Sequence, residues 1–181
     1  MPVVYHNGMA QRYFVAVPIP ENIVTLLNAL CVRLTGHASP VRFHHISLVP
    51  PFMLRDGMRE QQCIDTIRTI SLKPFDVYIK KLGTFHQLGR MILVGHVEPN
   101  DVLARYAQHI QIALQPYIQI DSTPYTNAVI PPFDAHTTID YDAKFLDAGL
   151  QLDQIEIEKI DWTINSFRMY KEIEKGLWKA V

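Results

Sequence analysis

Cysteine is nearly absent from this chain: Cys31 and Cys63 are the only two in 181 residues. A disulfide-built scaffold needs more of them in a smaller chain. The pair is therefore read as two buried free thiols of a reducing compartment. Charge of one sign is also missing, since 17 Lys and Arg against 18 Asp and Glu leave a formal net charge of −1. A protein that holds long nucleic acid by its backbone usually carries a basic field. Any nucleic-acid substrate is thus expected to be short, or gripped at one end. No apolar run approaches the ~20 residues of a membrane span. Residues 1–11 show no basic start followed by an apolar stretch, so no secretory leader is read there. A soluble cytoplasmic protein without a membrane partner is expected. Glycine is sparse, at 8 residues, and none forms a Gly-x-Gly-x-x-Gly or Gly-Lys-Ser/Thr loop. Nicotinamide and P-loop nucleotide binding are thereby disfavoured.

What is present is an alternation of strand-like and helix-like segments in a chain that is 48% hydrophobic, enough for one packed domain. Arg12 to Val17 reads as a strand, ended by Pro18 and Pro20. Ile23, Leu26, Leu27, Leu30 and Leu34 recur at helical spacing. His44 to Val49 reads as a short strand stopped by Pro50-Pro51. A second helix is expected over 59–70, with Ile64, Ile67 and Ile70 on one side. Strands follow at Phe75 to Thr84 and Arg90 to Val97, joined through His86 to Gly89. Pro99, Asn100 and Asp101 open a helix that runs to about Leu114. Pro124 to Pro132 reads as loop, Ala135 to Tyr141 as strand and Asp142 to Leu150 as a short helix. Two closing strands, 155–170 and 172–181, are expected to pair through a turn near Lys171. The order divides near Pro99 into halves of similar content. The expected class is α+β: a single bilobal domain over 1–181, with two pseudo-symmetric lobes, antiparallel sheets backed by helices, and a central cleft.

Two short strings stand out. His45-Ile46-Ser47-Leu48 and His136-Thr137-Thr138-Ile139 both read His, any residue, hydroxyl, aliphatic. They lie 91 residues apart, 136 less 45, about half the chain, as a duplicated lobe would place them. On a strand, side chains alternate faces, so His45 and Ser47 point together, as do His136 and Thr138. Same-face neighbours are roughly 6.6 Å apart at the backbone, room for a phosphoryl group between their tips. Opening a phosphodiester needs a base for the attacking oxygen and an acid for the leaving one. Two imidazoles titrating near neutrality can do both. Hydroxyl donors aimed at the non-bridging oxygens stabilise developing charge. No metal and no cofactor is required, and the scattered His6, His37, His86, His96 and His109 show no zinc-ligand spacing.

On these residues the sequence resembles the two-histidine phosphoesterase superfamily, in particular its 2′-5′ RNA ligase and cyclic phosphodiesterase branch. The likeness in element order covers Tyr13 to Val181. It implies acid–base roles for His45 and His136, with His136 taken as base and His45 as acid. It implies phosphate-binding roles for Ser47 and Thr138. The implied activity is hydrolysis of 2′,3′-cyclic phosphate, or of related 2′,5′-linked or ADP-ribose cyclic phosphate ends, with a ribonucleotide or RNA end as substrate and ligase activity as an extension. Serine stands in the first motif where many members have threonine, which keeps the hydroxyl. A monomer is expected. The alternative is a non-catalytic module that keeps the cleft for nucleotide or RNA-end recognition.

Further candidates are weighed against plainer roles. Pro-Pro-Phe follows the first motif at 50–52 and precedes the second at 131–133. Phe52 or Phe133 is a candidate to stack on a base, against turn rigidity and core packing. Tyr141 and Arg90 are candidate ribose or phosphate contacts. Arg168 and Tyr170 are assigned to a strand edge. His44 is expected to face away from His45 as a packed or surface residue. Asp140 is expected to share the face of His136 and is a candidate to orient its imidazole or raise its pKa, and Asp134 flanks the same histidine.

Overall fold

The helices form where apolar spacing runs. A computed structural model describes residues 11–87, 89–120, 132–143, 152 and 155–181. The chain runs β1 (Tyr13–Pro18), α1 (Glu21–Thr35), β2 (His45–Leu54), α2 (Glu60–Thr69), β3 (Phe75–Gln87), β4 (Arg90–Glu98), α3 (Asn100–Leu114), β5 (Ile118–Ile120), β6 (His136–Asp140), β7 (Asp161–Ile164), β8 (Arg168–Glu174) and β9 (Leu177–Ala180). Most of the helix expected over 142–150 and most of the 124–132 loop lie outside the described residues. In α1 the buried face is Ile23, Leu27, Leu30, Cys31 and Thr35, an i, i+4, i+7, i+8 stripe. Gly36 ends it in the left-handed region at φ 75°, its N–H bonding the Val32 carbonyl. In α3 the stripe is Leu103, Ala107, Ile110 and Leu114. Among the described residues no helix is long and apolar enough to cross a membrane.

The strands form two antiparallel sheets. The first has the order β5-β2-β1-β8-β9 and the second β6-β4-β3-β7. The expected α+β class with two helix-backed sheets is what forms, but the lobes are not the two halves of the chain. Strands β3 and β4 precede Pro99 and lie in the second sheet; β5, β8 and β9 follow it and lie in the first. Pairing of β1 with β8 and of β3 with β7 crosses the midpoint. Helix α1 packs on β6, α3 on β2 and β4, and α2 on α3 and β8.

Three local expectations are corrected. Strand β2 does not stop at Pro50-Pro51 but continues to Leu54. Val15 pairs with Val49 and Tyr13 with Phe52, so Phe14 alone faces both prolines. That is a bulge, where a strand tolerates residues that cannot donate. The closing segment is three strands, because β7 pairs with β3 in one sheet and β8 with β1 in the other. Lys171 sits inside β8; the reversal is at Gly176, with φ 75°. The short β5, pairing with the end of β2, had no alternation long enough to be seen.

One apolar core takes residues from both sheets and all three helices. Within it, the Thr137 hydroxyl is fully buried and has no hydrogen-bond partner among the described residues. A buried unsatisfied hydroxyl costs on the order of 1–3 kcal/mol. Thr137→Val is therefore expected to raise unfolding stability by about 1 kcal/mol in urea melts, with the slope unchanged. Loss of stability would show that the hydroxyl is satisfied in solution.

Candidate active site

The two motif strands face each other between the sheets. Strand β2 is internal to the first sheet, with His45 opposite Pro18 and Ser47 opposite Ala16 on β1. Strand β6 is the edge of the second sheet, with His136 opposite His96 and Thr138 opposite Val94 on β4. Burial follows the expected alternation: Ile46, Leu48, Thr137 and Ile139 are buried, while His45, Ser47, His136 and Thr138 are part-exposed. The side chain before the first motif ties the strands together. His44 is buried, and its Nδ1 lies 3.0 Å from the Thr138 carbonyl. The expectation that His44 is merely packed is sharpened: it spans from one motif to the other.

Each catalytic candidate is held in the same way. His45 Nδ1 is 2.9 Å from the Phe43 carbonyl, and His136 Nδ1 is 2.7 Å from the Asp134 carbonyl. In both, the acceptor is the residue two positions earlier. A ring nitrogen facing a carbonyl must carry the proton and donate it, which leaves Nε2 as the working atom on each ring. The two rings sense each other electrostatically. Burial, and then the like-charged His136 and His44, hold His45 down to about 4, against the Phe43 bond that raises it. Burial also lowers His136, but the Asp134 carbonyl bond and carboxylate oppose it, and His96 adds to the lowering. Burial lowers His44 as well.

These shifts make a stability prediction. In the unfolded chain each histidine takes up a proton near 6.5; in the folded protein it resists until a lower pH. The unfolded state then binds more protons across that window, so stability rises with pH there. The stabilisation is fully present above about 6.5 and is lost as pH falls toward 4. Melting temperature is expected to drop over this range. A His45→Gln variant should lose part of that drop; an identical pH dependence would refute the burial of a neutral ring.

The walls of the site were only partly legible beforehand. His45 stacks on Phe43, with centroids 5.0 Å apart and planes at 16°, and leans on Phe14 at 4.8 Å. Tyr170 and Trp178 complete an aromatic box with Phe14. Tyr170 therefore belongs to this box rather than serving only as a strand-edge residue. Phe43 and Trp178, which the motif pattern gave no reason to single out, are part-exposed; Phe43 presents ring surface beside His45, and Trp178 packs edge-on against Phe14. On the other side Phe85 meets His136 edge-on at 5.1 Å. His96, opposite His136, holds the Asp134 carboxylate at 3.0 Å. Gly83 makes room for that ring, since a Cβ there would collide with His96 Nε2.

The other candidate contacts take varied positions. Phe52 is 0% exposed and stacks on Tyr13 inside the first sheet, so it cannot meet a base. Phe133 is half-buried and packs against the core. Tyr141, 39% exposed, follows β6 directly. Arg90 opens β4 opposite Gln87, six residues or roughly 20 Å of strand from the His96–His136 pair. Arg168 is exposed at the start of β8. Asp140 does not orient His136. Leu93 pairs with Asp140 and the adjacent Val94 with Thr138, so Ile139 is a bulge that breaks the alternation. Asp140 is fully buried, with its Oδ2 2.9 Å from His37 Nε2.

No family model and no curated protein matches the sequence. Solved structures do match. The chain superposes on E. coli LigT complexed with NADP+ with a TM-score of 0.64 and 16% identity, covering 96% of this chain and 95% of that one. For E. coli LigT complexed with 3′-AMP the TM-score is 0.63 at 16% identity, with the same coverage. TT0787 of Thermus thermophilus gives 0.61 at 19% identity, covering 94% of each chain. At such identities the shared feature is the fold, and it extends over nearly the whole length of both partners.

Proposed function

We propose that this chain is a two-histidine phosphoesterase that opens 2′,3′-cyclic phosphates, or related 2′,5′-linked or ADP-ribose cyclic phosphate ends, by metal-independent acid–base catalysis. The observation that carries the reading is one arrangement built twice: an imidazole pinned through Nδ1 to the carbonyl two residues before it, and a part-exposed hydroxyl two residues after it. The fold it shares with LigT, a protein crystallised with NADP+ and with 3′-AMP, supports a nucleotide substrate.

In the proposed reaction water attacks phosphorus as the bond to the 3′ oxygen breaks. One histidine takes the water's proton at Nε2, and the other gives its Nε2 proton to the leaving oxygen. Ser47 and Thr138 donate to the non-bridging oxygens, and Phe43 offers a face for a base. A base must be neutral and an acid protonated at the working pH. His45, held down to about 4, suits the base. His136, supported by the Asp134 carboxylate, suits the acid. This reverses the assignment expected from the resemblance.

Phosphorus NMR on 2′,3′-cyclic nucleotides, ADP-ribose cyclic phosphate and 2′,5′-oligoadenylate, with EDTA present, tests the reading. Turnover leaving the phosphate on the 2′ oxygen is expected. The profile of kcat/KM should be a bell with its optimum on the acid side of 6.5, because both rings titrate below their ordinary value. Binding without turnover on every substrate would instead make the chain a nucleotide-recognition module.

A further inference from the structure

On the far side of β6 from the catalytic face, three side chains from separate parts of the chain converge. Cys31 comes from the last turn of α1, His37 from just beyond its cap, and Asp140 from the end of the second motif strand. One ligand atom from each lies within 4.8 Å of the other two. The left-handed Gly36 turns the chain so that His37 returns beside the helix. The bulge at Ile139 swings Asp140 toward α1. We infer that Cys31, His37 and Asp140 form a site for a zinc-like divalent cation that clamps the α1–β2 connection onto β6.

Chemistry and geometry agree on this ligand. Thiolate, imidazole and carboxylate are zinc's three protein ligand types, and a half-exposed histidine leaves a route for the ion and a fourth position for water. Asp140 is fully buried, and a buried carboxylate requires a compensating positive charge. Its Oδ1 accepts the Asp142 N–H, but its Oδ2 makes no hydrogen bond among the described residues, although His37 Nε2 is 2.9 Å away. The other ring nitrogen, Nδ1, faces the Thr35 carbonyl at 3.3 Å. A ring that donates from Nδ1 to the Thr35 carbonyl can turn its Nε2 lone pair to a cation shared with Asp140. An outer carbonyl on Nδ1 is also the usual support of a metal-bound histidine. Tetrahedral zinc sets ligand atoms roughly 3.3–3.6 Å apart, so separations of up to 4.8 Å have to close by at most about 1.5 Å, while the 2.9 Å His37–Asp140 contact opens slightly. Cys31 enters as thiolate and releases its proton to solvent.

The site sits where it would matter. Between His37 and the first motif, Ser39 Oγ bonds the Ile139 carbonyl at 2.6 Å and His44 bonds the Thr138 carbonyl. His37, Ser39 and His44 thus run along one edge of β6, and the cation would anchor the start of that strap. The motif strands would then be held in register by a clamp that takes no part in proton transfer.

The test uses the full chain, stripped with EDTA and then titrated with zinc or cobalt(II). One zinc per chain is expected, and cobalt should give a sulfur-to-metal charge-transfer band with tetrahedral visible absorption. Cys31→Ser should abolish that band. Cys31→Ser and His37→Ala should each cost more zinc affinity than the roughly 10–100-fold an outer partner is worth. Absence of the band in the unaltered chain overturns the inference whatever the variants do. So does zinc held equally well by Cys31→Ser, as it would be if the ion sat on His45 and His136.

Discussion

His45→Ala and His136→Ala are each expected to lower kcat on a 2′,3′-cyclic nucleotide by about 10²–10⁴-fold, the range that one well-placed proton-transfer group supplies. Affinity for the 2′-phosphate product should change far less in calorimetry, because Ser47, Thr138 and the aromatic faces remain. Combining the two substitutions should cost little more than either alone, since the base and acid serve one transition state. The assignment of roles can be separated from the presence of two roles. A nucleoside aryl phosphodiester has a leaving oxygen that needs no proton, so it should rescue the variant lacking the acid and not the one lacking the base. Rescue of His136→Ala alone is expected, from the depression of His45 to about 4 and the support of His136 by Asp134. More than a tenth of turnover surviving in either single variant would end the two-histidine mechanism.

Phe52→Ala is expected to destabilise the protein by about 3–5 kcal/mol, the cost of emptying a fully buried phenyl site. Phe52 is 0% exposed, stacks on Tyr13 with centroids 5.9 Å apart, and is the point where β2 pairs with both β1 and β5. It also directly follows the Pro50-Pro51 bulge, where neighbouring backbone has less freedom to collapse into a cavity. Set against the roughly 5–15 kcal/mol of an ordinary domain, this is a large fraction. The melting temperature should fall by roughly 6–20 °C. At a temperature where the variant is folded, KM should be unchanged, because the ring does not reach the cleft. A raised KM at unchanged stability would return Phe52 to the base-stacking role that its place after the first motif suggested.

The reach of sequence reading is clear when particular residues are compared. His45 with Ser47, and His136 with Thr138, were legible because strand alternation is a local rule: two residues along, the same face returns. The helices α1 and α3 were legible for the same reason, their stripes repeating within a few residues. Asp140 obeys the alternation only until Ile139, where a bulge set by pairing with β4 turns it over. Phe52 and Phe133 each end a Pro-Pro-Phe string, and only the sheet around Phe52 marks it as core. Phe43, Trp178, His96 and Gly83 carry no spacing relative to the motifs, and reach the site through partners many residues away.

The amino-acid order alone thus determined the two His-x-hydroxyl strands, the α+β class and the helical faces, since each depends on backbone periodicity within one element. The tertiary structure decided which strands share a sheet, and so overruled a division near Pro99. It also placed Cys31, His37 and Asp140 together and sank both imidazoles below their ordinary titration range. Those outcomes depend on pairing and burial between distant segments, and no local period encodes them.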